Sequence, residues 1–283
     1  MSCFRLTILG SLVLLLSAQT GSASAFVRGA YYRLGDDDPG AAASQLGQNP
    51  TRDSFSDGLD LTRFGAPHYA NDVPPRGPFP NKLSMSFVEL GAGVVSTGYY
   101  SRPTSLDMVQ QGFALEAWAK APTPPVLDPG GNGQLIAYNG DPTANGFGLY
   151  RDAANYVARI GAFEQILGPA TDNAWHHLAY VQSLGTASYY YDGNLVKTAS
   201  KDPIPVAASG GFWVGGRSDS TSSLDLFNGW VDEVRYQSFN PLAAGAFDPT
   251  SFLISVPEPS GAAVLLFVSW LLALQPRRRA RAL

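Results

Sequence analysis

Breaking a glycosidic bond with retention needs two carboxyl groups held roughly 5 Å apart on either side of it. The sequence supplies adjacent carboxylates at Asp232 and Glu233 and a distant one at Glu116. Neighbours on a strand point to opposite faces, so Asp232 and Glu233 are not expected to act as a pair. Glu116 with Glu233 across a sheet is the remaining arrangement. The same alternation separates His176 from His177, which cannot share a metal ion, and His68 lies far off in a loop. No HExxH, GxSxG or phosphate-loop pattern is present. Cys3 is the only cysteine, so the chain beyond it has neither a disulfide nor a thiolate metal site. Asp36, Asp37, Asp38, Asp141 and Asp219 are acidic loop residues of the type that holds Ca²⁺. None forms a recognisable calcium loop, and such residues usually cap their own backbone. The expectation is a protein that is not an enzyme and needs no cofactor, with calcium the one ion its loops could suit.

Binding is better provided for than catalysis. Glu116, Trp118 and Lys120 alternate along one segment and so share one face of a strand. An aromatic ring between a carboxylate and an ammonium suits a sugar, and these three are the candidate ligand residues. Trp213 and Tyr190 are secondary candidates. The competing reading is architectural: Trp118 is covered by a loop or a sheet edge, and Glu116 pairs with Arg235. Nucleic acid is excluded as a partner. Five of the 19 basic residues lie at the ends of the chain (Arg5, Arg277, Arg278, Arg279 and Arg281) and one of the 23 acidic residues, Glu258, lies there too. The span from Phe26 to Val256 therefore carries 14 basic and 22 acidic side chains, net −8, whereas phosphate contacts need a basic surplus.

The elements that must position these residues are strands. Period-two alternation recurs between Gly, Asp, Asn and Pro turns. It predicts strands at Ala30–Leu34, Leu83–Leu90, Val94–Thr97, Phe113–Lys120, Gln134–Tyr138, Phe147–Arg151, Tyr156–Ile160, Trp175–Gln182, Ala187–Tyr191, Leu195–Thr198, Gly211–Val214 and Gly229–Tyr236. Asp192-Gly193 predicts a tight hairpin. Gly35 to Pro80 reads as long loops with one or two short strands near Leu59–Phe64; a loop of that length is usually functional or poorly ordered. Phe113, Leu115, Ala117 and Ala119 are expected to face the core. In the last strand Trp230, Val234 and Tyr236 are expected to share a face against Val231, Glu233 and Arg235. Trp175 is expected in the core, where Trp175→Ala would cost roughly 3–5 kcal/mol. No repeat of constant period is present, which argues against a propeller or solenoid.

Four blocks carry a resemblance: Phe113–Trp118 (FALEAW), Trp175–Val181 (WHHLAYV), Tyr190–Gly193 (YYDG) and Phe227–Arg235 (FNGWVDEVR). In this order and spacing they resemble the laminin-G-like, concanavalin A-like jelly roll, over about residues 113 to 236 and more weakly back to Ala30. The resemblance implies an all-β sandwich of two antiparallel sheets, mostly used to bind carbohydrate or protein, with glycoside hydrolases in a related branch. Those hydrolases carry a Glu-x-Asp-x-x-Glu strand, and this sequence has no Glu-x-Asp anywhere.

The ends speak of export. Arg5, an apolar run from Leu6 to Ala18 and Ala23-Ser24-Ala25 have the form of a signal peptide cut between Ala25 and Phe26. At the other end Pro257-Glu258-Pro259 precedes Gly261–Leu274, fourteen residues without a charge, and then Arg277, Arg278, Arg279 and Arg281. Flanked by uncharged residues, the run reaches the lower limit of a membrane-spanning helix, and the basic cluster places its end in the cytoplasm. These parts resemble the PEP-CTERM sorting signal, which implies processing by an exosortase. The expected organisation is a signal peptide (1–25), a jelly-roll domain (26–250, loop-rich over 30–110 and best matched over 111–240), a linker with the sorting motif (251–260), a hydrophobic helix (261–276) and a basic tail (277–283). The expected function is that of an exported surface or matrix adhesion module. It would be handled by signal peptidase and exosortase, pass through the inner membrane, and recognise polysaccharide or a neighbouring surface protein. A structural matrix component without a discrete site and an unusual glycoside hydrolase are the alternatives.

Overall fold

The computed structural model describes residues 26–55, 58–75, 80–88, 98–106, 112–122, 133–140, 146–152, 154–161, 163–200, 210–217 and 225–242. The predicted signal peptide and the C-terminal helix lie outside the described residues. Among the described residues there is no helix, and none long and apolar enough to cross a membrane.

Among the described residues, fifteen strands form two sheets. In chain order they are β1 (Phe26–Tyr32), β2 (Thr62–Gly65), β3 (His68–Ala70), β4 (Ser84–Ser86) and β5 (Gly98–Arg102). Then come β6 (Gly112–Lys120), β7 (Gln134–Gly140), β8 (Phe147–Asp152), β9 (Asn155–Ile160) and β10 (Phe163–Pro169). The last five are β11 (Trp175–Ser183), β12 (Thr186–Tyr191), β13 (Asn194–Ser200), β14 (Gly211–Val214) and β15 (Trp230–Phe239). The first sheet has eight strands in the order β13-β12-β11-β6-β15-β4-β3, with β1 also paired to β15. The second has seven, in the order β10-β9-β8-β7-β14-β5-β2. All named strand pairs are antiparallel. This is the two-sheet antiparallel sandwich that the resemblance implies.

The core lies where the inner faces meet. Phe113, Leu115, Ala117 and Ala119 of β6 point into it, as expected. Phe147 lies 4.3 Å from Phe113 between ring centroids, and Tyr180 and Tyr236 surround the pair. With no disulfide to stiffen the chain, aromatic packing of this kind must hold the sheets together.

Three expectations are corrected. A β-bulge between Asp232 and Arg235 adds a residue to β15, with Glu233 at φ 50°. Trp230 and Val234 therefore fall on opposite faces. The bulge also cancels the separation of Asp232 and Glu233: the Asn81 Nδ2 amide donates to Asp232 Oδ2 at 2.6 Å and to Glu233 Oε1 at 3.3 Å. Both carboxyl groups have 0% exposure. Trp175, placed in the core by its block, is a half-buried residue of the outer face. Three strands, β3, β5 and β10, were not foreseen; β5 covers Gly98–Arg102, beyond the expected Val94–Thr97. β10 ends in Gly-Pro and its alternation breaks at a bulge between Ile166 and Gly168. β3 is only three residues long.

The acidic region after β1 is tied down by its own carboxylates. Asp38 accepts from Thr51 Oγ1, Tyr69 OH and the Arg52 amide. Asp53 accepts from the Tyr31 and Phe55 amides. Three of these bonds satisfy backbone amides, of Tyr31, Arg52 and Phe55.

Candidate functional site

The predicted trio lies on the outer face of β6. Glu116 is 1% exposed and Trp118 4%. Arg235 Nε donates to Glu116 Oε1 at 2.6 Å, and His177 Nε2 lies 2.8 Å from Glu116 Oε2. Trp118 packs edge-on against the His177 ring. The ion pair anticipated between Glu116 and Arg235 thus exists, and it is buried. Lys120 alone of the three is half-buried, and its Nζ donates to Asp72 Oδ2 at 2.7 Å. His176 faces the other way, onto Tyr191, at 4.7 Å between centroids. Tyr190 is buried at 9% exposure.

Aromatic rings gather on the outer face of the second sheet instead. Strand β2 pairs with β5 so that Phe64 lies opposite Tyr99, and their rings stack at 4.9 Å with planes 9° apart. On β14, Trp213 is directly opposite Ser101 of β5, and Ser101 is opposite Thr62 of β2. Tyr99 and Ser101 are two residues apart on one strand, so Phe64, Tyr99, Ser101, Thr62 and Trp213 share a face. Phe64 is 43% exposed, Thr62 is exposed, and Tyr99 and Trp213 are half-buried.

The inner edge of this platform is firmly supported. Trp213 packs on the buried cluster of Leu135, Tyr138, Tyr150 and Val157. Arg159 lies over the Tyr150 ring at 4.4 Å and donates to Glu164 Oε1 at 2.6 Å. Gly211 is required beneath: a Cβ there would sit 2.3 Å from the Arg102 carbonyl oxygen and 3.2 Å from the indole of Trp213. The result is an aromatic surface open to water at the β2 edge, with the exposed Thr62 beside it and Ser101 at 9% exposure. A sugar ring offers an apolar C–H face to such a surface and hydroxyls to its polar neighbours.

Sequence reasoning singled out Trp213 only as a secondary candidate and missed Phe64 and Tyr99. The signal for Tyr99 was present as an alternating Tyr-Tyr-Ser, but the strand was placed at Val94–Thr97, which lies outside the described residues. Among the described residues no group of three or more His, Cys, Asp or Glu is arranged to hold a metal. Asp36 instead accepts from the Lys82 and Leu83 amides and from Arg33, and Asp141 and Asp219 lie outside the described residues.

A search of curated proteins finds no match in sequence. Among solved structures, domain 4 of AbnA, a GH43 extracellular arabinanase from Geobacillus stearothermophilus in complex with arabinotriose, aligns with a TM-score of 0.52 at 15% identity. The alignment covers 80% of this chain and 96% of that one. The binding domain of Paraclostridial Mosquitocidal Protein 1 aligns at 0.48 and 12% identity over 81% of this chain, and botulinum neurotoxin type C, a toxin dependent on interaction with two ganglioside molecules, at 0.44 and 12% over 80%. The alignments span about half of each toxin chain (52% and 51%). The sequence profile of Laminin_G_3, the concanavalin A-like lectin/glucanases superfamily, matches residues 95–240, which include β5 to β15 but not Thr62 and Phe64 of β2. The chain therefore belongs to the concanavalin A-like lectin/glucanase superfamily.

Proposed function

We propose that this protein is an exported, non-enzymatic carbohydrate-binding module that recognises a polysaccharide of the cell surface or extracellular matrix through the platform of Phe64, Tyr99 and Trp213. The observation that carries the reading is the partly exposed, stacked aromatic pair continued by Trp213, with Thr62 and Ser101 alongside. Large rings left in water on a β-sheet cost free energy that a ligand recovers on docking. The arabinanase domain of the same fold, observed with arabinotriose, is in keeping with this use. The converging carboxyl groups Asp232 and Glu233 do not suggest hydrolysis, because a substrate has no access to side chains of 0% exposure. Export follows from the Ala25–Phe26 signal and surface sorting from Pro257-Glu258-Pro259.

Calorimetric titration with arabinan, β-glucan and galactan, after a glycan-array screen, tests the reading. At least one polymer is expected to bind. Trp213→Ala should weaken that binding at the platform by at least tenfold, about 1.4 kcal/mol, without altering the circular dichroism spectrum. Unchanged affinity at the platform in Trp213→Ala would sink the assignment.

A further inference from the structure

The first sheet presents an aromatic row of its own, facing away from the platform. Strands β11, β6 and β15 bring Trp175, Lys120 and Trp230 into register, and β4 continues the row with Ser86. Asp72, from the segment between β3 and β4, binds across it. Its Oδ1 accepts from Trp175 Nε1 at 2.8 Å and its Oδ2 from Lys120 Nζ at 2.7 Å. The Lys120 ammonium also lies 5.3 Å from the centre of the Trp230 ring.

Each of these contacts fixes a side chain without burying it. Trp175, Trp230 and Lys120 are all half-buried, and the Asp72 side chain is 39% exposed. The next row inward, with Trp118 and Asp232 paired across the strands and His177 beside them, is closed: Trp118 is 4% exposed and the other two 0%. One row inward the outer face is closed, whereas at this end the sheet keeps two half-buried indoles at its surface. The two rings stand two strand spacings apart, roughly 10 Å, with a carboxylate and an ammonium between them. That is a rigid surface for two successive sugar rings, with one acceptor and one donor placed for their hydroxyls. A protein core offers no use for such an arrangement, since burial would require both charges to be desolvated.

We propose that the row Trp175–Lys120–Trp230, with Asp72, is a second carbohydrate site, so that one domain holds two polysaccharide strands on opposite faces of the sandwich. This rests on the carbohydrate reading of the platform. The two sites point away from each other across both sheets, so a short oligosaccharide cannot fill both. A polymer is engaged by two neighbouring proteins, and each protein by two polymers. The product is a cross-linked network, and binding to a polymer gains from multivalency without any new contact.

The test uses the full-length protein with arabinan, β-glucan and galactan, each as polymer and as trisaccharide. For the sugar that binds, wild type should take up two trisaccharides per chain and turn polymer solutions turbid. Trp213→Ala and Trp230→Ala should each bind one trisaccharide and give no turbidity. Trp230→Leu, which keeps apolar volume, and Trp175→Ala should behave as Trp230→Ala does while retaining the wild-type circular dichroism spectrum. One trisaccharide per wild-type chain, lost in Trp213→Ala and retained in every Trp230 and Trp175 variant, would overturn the second site and leave the platform standing. Absence of binding by wild type to every probe would overturn both.

Discussion

Glu116 holds Arg235 on one carboxylate oxygen and His177 on the other, with 1% of its surface exposed. A buried charge of this kind contributes little by being present, because desolvation offsets the attraction. Its removal is another matter. Glu116→Ala removes a carboxylate partner from a guanidinium that is only 11% exposed and from a fully buried imidazole. We expect a loss of roughly 3–5 kcal/mol in urea unfolding; a loss below about 1 kcal/mol would mean that the network relaxes to solvent. The choice of Glu116, Trp118 and Lys120 as a ligand surface shows what residue types can and cannot tell. Alternation placed all three on one face correctly. Depth on that face was not legible, because it depends on what lies above the sheet. Lys120 belongs to the row that stays half-open, and its neighbours in space, Trp175 and Trp230, come from segments 55 and 110 positions away by residue number.

Elements meet at joints that the alternation cannot announce. The bulge in β15 is occupied by Glu233 at positive φ, where a glycine would have been a visible marker; the regular Trp-Val-Asp-Glu-Val run gives no hint of it. The Asp192-Gly193 turn was legible, and both residues have positive φ, 51° and 77°, as a primed hairpin turn demands. Its further role was not. Asp192 Oδ2 lies 2.9 Å from His176 Nδ1, while Asp172, from the connection between β10 and β11, lies 3.0 Å from Nε2. The imidazole thus clips the β12–β13 turn to that connection, and both bonds need a proton on each nitrogen. Burial disfavours the charged ring, but the hydrogen bonds and charges of Asp192 and Asp172 outweigh it and raise its pKa above the ordinary 6.5. A basic group with a raised folded-state pKa contributes stability fully below its unfolded value and loses it as pH climbs through the folded one. Stability should therefore fall as pH rises above about 6.5. The loss is on the order of 1 kcal/mol, one hydrogen bond's worth, because both carboxylates are partly exposed. His176→Gln should flatten that slope in Tm measurements across the range. An identical slope in the variant would place the titration elsewhere, for instance in Asp232 and Glu233, whose pKa values burial also raises.

At the scale of the whole molecule, alternation made the strands legible and the four resembling blocks implied the two-sheet architecture, while the pairing of β5 with β2 and β14, which builds the platform, depends on register between distant segments and was not legible. The ends concern where this architecture is used. In the described residues, β1 pairs with β15 from Phe26 opposite Phe239 to Tyr32 opposite Val234. The tail raises a problem of physical chemistry. Gly261–Leu274 contains five leucines and phenylalanines between Leu265 and Leu272 and a sixth at Leu274, and each such side chain gains roughly 1.5–3 kcal/mol on leaving water. Four arginines follow, and their transfer across the bilayer is costly. A network-forming protein tethered this way would remain at the inner membrane, away from any external polysaccharide. Release requires a cut on the outer side of the apolar run, where Pro257-Glu258-Pro259 stands. Proline supplies no amide donor and disfavours helix, which suits a motif that a protease recognises. We propose that an exosortase acts there. Replacing Pro257, Glu258 and Pro259 by alanine should leave the full-length chain in the inner-membrane fraction, with surface protein reduced at least tenfold on immunoblots of fractionated cells. Equal surface delivery of the variant would show that the tail is an anchor and that the motif plays no part in sorting.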